Sequence, residues 1–105
     1  KSIMYDHQTG TYTDLEALAN IAAKDPEKIA EWILGLTGEQ LKAILEFIEV
    51  HCNIIILIDG KNLKDINFSY FKYNPLTIDR ISIWANEGEP LTLYGLGKKF
   101  QKAYA

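Results

Sequence analysis

Asn53-Ile54-Ile55-Ile56-Leu57-Ile58-Asp59-Gly60 is the stretch whose reading decides the fold. Ile54 to Ile58 are all apolar, and four of the five are β-branched. A run this short, closed by Asn53 on one side and Asp-Gly on the other, reads as a buried strand, because helices want more length. Asp59-Gly60 is a two-residue hairpin signal, since both central positions of such a turn need positive φ. A second reading stays open at this point. The preceding helix can run on through Ile58, with Gly60 as its stop.

Upstream of the run, three helix starts follow one another. Thr13-Asp14-Leu15-Glu16 has the form of a capping box, and Leu15, Leu18, Ala19 and Ala22 follow at helical spacing. Asp25-Pro26-Glu27 is a second start: Asp caps, Pro suits the first helical position, and Glu suits the positive end of the dipole. Ile29, Ile33 and Leu34 form its stripe, flanked by Trp32 and Leu36. Thr37-Gly38-Glu39-Gln40 repeats the capping-box form, and Leu41, Ile44, Leu45 and Ile48 give an amphipathic face. The links are short enough to force the three helices into one layer. Residues 1–12 are polar and mixed, and read as a loop or a short edge strand.

Downstream, Asn67 to Tyr73 reads as a strand with Phe68, Tyr70 and Lys72 on one face and Ser69, Phe71 and Tyr73 on the other, and Thr77 to Trp84 reads as a second strand. In the latter, Ile81 and Ile83 point one way, and Arg80, Ser82 and Trp84 the other. Asn74-Pro75 marks the turn between them. The tail from Leu91 begins extended and turns helical around Leu96, Lys99, Phe100 and Ala103, with Gly95 and Gly97 weakening its start by about 1 kcal/mol each. Helices first and strands after predict an α+β fold: three short N-terminal helices packed on a small antiparallel sheet, with a C-terminal helix. At 105 residues, 48% hydrophobic and 24% charged, the chain is expected to form one domain, 1–105, around one packed core.

Composition narrows the setting. A single cysteine, Cys52, makes no internal disulfide, which favours a reducing compartment. The longest apolar run is five residues, far short of the roughly 20 a spanning helix needs. Lys1 to Gly10 has no signal-peptide core. A cytoplasmic protein is expected, with no membrane partner. Net charge is −3. Residues 1–52 hold nine acids against four lysines, and residues 53–105 hold five acids against six lysines and Arg80. An acidic helical half and a mildly basic half follow.

No chemical motif stands out. His51 and Cys52 are neighbours whose side chains diverge on a helix or strand, so Cys52 reads as a small buried hydrophobe. Two distant histidines and one cysteine do not match a metal site, and Glu46 and Glu49 read as a solvated helix face. Gly95-Leu96-Gly97-Lys98-Lys99 lacks the spacing of a phosphate loop. It remains a weak anion-binding candidate through Gly95, Gly97, Lys98 and Lys99, provided that it precedes a helix. No enzyme activity, cofactor or metal is expected.

Eight of the twelve aromatics lie after residue 60, interleaved with lysines and Arg80. In the 67–73 segment they fall on both faces of a strand, and a sheet covered by helices on one side can bury only one of those faces in its core. Exposed aromatics mark a binding surface. Tyr70, Lys72, Tyr73, Arg80 and Trp84 are therefore the candidate partner-binding residues. The expected function is non-enzymatic docking on another protein, as an inhibitor, immunity or adaptor protein does, with a homodimer as one form of partner. The alternative is a nucleic-acid-binding regulator that stacks bases on the same aromatics. The acidic balance weighs against it, because nucleic-acid binders are usually basic.

Overall fold

The computed structural model describes residues 3–6, 11–72, 75–86 and 88–104. The chain runs β1 (Ile3–Asp6), β2 (Thr11–Asp14), α1 (Leu15–Lys24), α2 (Lys28–Leu34), α3 (Gly38–Cys52), β3 (Ile55–Ile58), β4 (Lys61–Asn62), α4 (Ser69–Lys72), β5 (Ile81–Trp84), β6 (Pro90–Leu91) and α5 (Leu93–Tyr104). The fold is α+β. β1 and β2 pair antiparallel with each other, and the other four strands form an antiparallel sheet in the order β4-β3-β5-β6.

The three N-terminal helices form where the sequence places them, but α2 and α3 do so without side-chain caps. Thr37 makes no capping bond; instead Gly38 opens α3 at φ +60°, a conformation that glycine adopts without strain. At α2 the turn is made by backbone, with the Lys28, Ile29 and Ala30 amides donating to the carbonyls of Asp25, Pro26 and Glu27. The side-chain part of the Thr13–Glu16 capping box lies outside the described residues.

At the deciding stretch, α3 stops. Asn53 takes φ 55°, and its amide donates to the Glu49 carbonyl. Asn tolerates this left-handed conformation better than most residues, and it turns the chain out of the helix. Ile55–Ile58 is a strand. Asp59 (φ 52°) and Gly60 (φ 80°) form the hairpin turn, pairing Ile58 with Lys61. The helix-through-Ile58 reading is excluded.

Two downstream expectations are corrected. Asn67–Tyr73 is not a strand: Ser69–Lys72 is one helical turn, α4. The Asn67 side chain accepts from the Ser69 amide at 3.1 Å, its carbonyl accepts from the Tyr70 amide at 2.9 Å, and Phe71 is buried against the core. A 3-10 turn at Leu63–Asp65 has already led the chain away from the sheet edge, so the segment has no strand to join. Thr77–Trp84 is strand only from Ile81, because Ile78–Arg80 is a second 3-10 turn.

The core sits between the helices and the inner face of the sheet. Leu18, Ile29, Ile33, Leu41, Ile44, Leu45 and Ile48 meet Ile56, Ile58 and Ile83, with Phe71 and Phe100 fully buried. α5 crosses α2 where Gly97 lies against the Pro26 backbone; a Cβ there would sit 1.7 Å from the Pro26 carbonyl oxygen. No helix among the described residues is long and apolar enough to cross a membrane.

Candidate interaction surface

Alternation along β3 and β5 decides what the outer face of the sheet carries. Ile56, Ile58 and Ile83 point inward and are buried. Ile55, Leu57, Ser82 and Trp84 therefore point outward. Register places Ile55 opposite Trp84, Leu57 opposite Ser82 and Asn62, and Trp84 beside Pro90. Cross-strand partners share a face, so the outer face is Ile55, Leu57, Asn62, Ser82, Trp84 and Pro90. None of these six is charged.

Two grooves flank this face. One is lined by Glu49, Val50, Ile54, Ile55, Asn62, Leu63 and Lys64. The other, with a volume of about 460 Å³, lies between β5, β6 and the start of α5, and Ile78, Trp84, Leu91 and Tyr94 are among its walls. Six large hydrophobic side chains are markedly exposed among the described residues. Five of them, Val50, Ile55, Ile78, Trp84 and Tyr94, belong to this strip, with exposures from 38% to 83%.

The sixth is Tyr70, at the opposite end of β5 from Trp84. There the Asp59 carboxylate receives the Tyr70 hydroxyl and the Arg80 guanidinium, the latter at 2.9 Å from Nη2 and 3.2 Å from Nε. Arg80 also lies over the Tyr70 ring, 5.4 Å from its centre, and donates to the Pro75 carbonyl at 2.9 Å. The bonds from Arg80, then from Tyr70, hold the Asp59 carboxyl below its ordinary value, and the same contacts push Arg80 above its own. This clasp ties α4 and the turn before β5 to the β3–β4 hairpin.

The five sequence candidates are thus not one patch. Tyr70 and Arg80 belong to the clasp, Trp84 lies on the outer strip, Lys72 is exposed on α4, and Tyr73 lies outside the described residues. Sequence reasoning missed Ile55, Ile78, Val50 and Tyr94. Ile55 was legible in principle: a strand covered on one face only must expose alternate members of Ile54–Ile58.

The glycine pair does not precede a helix but lies inside α5. The Gly95 amide is already taken by Thr92 Oγ1 at 2.9 Å, and Gly97 serves the crossing with Pro26. The stretch therefore forms no loop to cradle an anion. Cys52 is buried and its thiol is pushed up by that burial, with Lys99 opposing, so the nucleophilic thiolate is disfavoured. The described residues contain no cluster of three or more His, Cys, Asp or Glu with metal-site geometry. In comparisons with protein families, curated proteins and solved structures, nothing matched the chain.

Proposed function

We propose that this chain is a non-enzymatic docking domain that binds another protein through the outer face of its sheet, in the manner of a small inhibitor, immunity or adaptor protein. One observation carries this reading. Five of the six markedly exposed large hydrophobics among the described residues lie on or beside the outer face of the sheet, whose six outward residues carry no charge. Scattered exposed apolar residues are ordinary, whereas contiguous ones mark contact surfaces. Trp84 and Tyr94 are of the type that anchors interfaces. The groove beside Trp84 has no lysine or arginine among its lining residues to meet a phosphate, which favours protein over nucleic acid as the partner.

Site-directed photo-crosslinking tests it. With p-benzoylphenylalanine in place of Tyr94, irradiation of cells that make the protein is expected to give a discrete protein adduct. The same group in place of Glu31, exposed on α2, is expected to give none. Equal labelling from both positions, or no adduct from Tyr94, overturns the reading.

A further inference from the structure

We draw no further inference here: the strongest candidate, the outer face of the sheet around Ile55 and Trp84 with the grooves beside it, carries nothing beyond the docking reading, because nothing in the structure shows what covers it.

Discussion

The Glu49 carboxylate on α3 accepts the Ile56 amide of β3 at 2.8 Å. The hairpin register would place residue 63 opposite Ile56, but β4 ends at Asn62 and Leu63 begins a 3-10 turn. Glu49 thus stands in for the missing rung of the ladder. Its backbone carbonyl also receives the Asn53 and Ile54 amides, so one residue ends the helix and starts the strand. Lys42 adds a parallel tie, donating to the Leu63 carbonyl at 3.1 Å and pairing with Glu46 at 3.0 Å.

Glu49→Ala leaves the Ile56 amide without its charged acceptor. A hydrogen bond of this type contributes about 1.5–3 kcal/mol, so urea unfolding should show a loss of about 2 kcal/mol. Glu49→Gln, which keeps a neutral acceptor, should lose about half as much. Equal stability of Glu49→Ala and wild type would show that water replaces the carboxylate at no cost.

Gly95 and Gly97 should respond in opposite ways to alanine. At Gly97 the new Cβ meets backbone that cannot yield without moving α5 off Pro26. Overpacking of this kind costs about 1–3 kcal/mol or more and outweighs the roughly 1 kcal/mol gained in helix propensity. At Gly95 the nearest atoms are the side chains of Thr92, at 3.2 Å, and Leu91, at 3.3 Å, which can shift. Thermal melts should place Gly97→Ala well below wild type, and Gly95→Ala within about 1 kcal/mol of it.

Asp59 makes stability depend on acid. Its depressed carboxyl means that the native state holds the anion more tightly than the unfolded chain does. The contribution is complete above the unfolded value of about 3.9 and is lost as pH falls through the lower native one. Asp59→Asn keeps a residue that accepts the turn's positive φ. Its stability should fall short of wild type at neutral pH, and the gap should narrow as pH falls below the unfolded value of about 3.9. A gap that stays constant with pH would remove the Arg80 and Tyr70 contacts from the account.

Asn53 is the switch between helix and strand. Asn53→Gly should be neutral or slightly stabilising, whereas Asn53→Val forces a β-branched residue to φ 55° and should cost about 1–2 kcal/mol. Chemical denaturation of the two variants compares them directly. If valine is tolerated, the junction is held by Glu49 alone.

The sequence was a good guide where a pattern is local. Three helices, the Asp59-Gly60 hairpin and the shared face of Ile81 and Ile83 all follow from spacing and turn chemistry over a few residues. It misled at Asn67–Tyr73, where a run rich in aromatics imitates a strand but Asn67 nucleates a helical turn and Phe71 is drawn into the core. Aromatic content pointed to the second half of the chain as the contact region. It could not separate buried Phe71 and Phe100 from exposed Trp84 and Tyr94, because hydrophobicity is the same on both sides of a sheet until something covers one of them.

By itself, then, the sequence determined the α+β class, the three helices and the Asp59-Gly60 turn, and it favoured a strand after Asn53 while leaving a helix through Ile58 open, since each depends on dihedral preference and residue type in a short window. Tertiary structure alone decided that Glu49 completes the ladder, that Gly97 is a helix crossing rather than an anion loop, and that Ile55 and Trp84 stand side by side in the open. Those outcomes depend on which strand edge and which face the helices leave uncovered, and that is a property of packing between segments far apart in the chain.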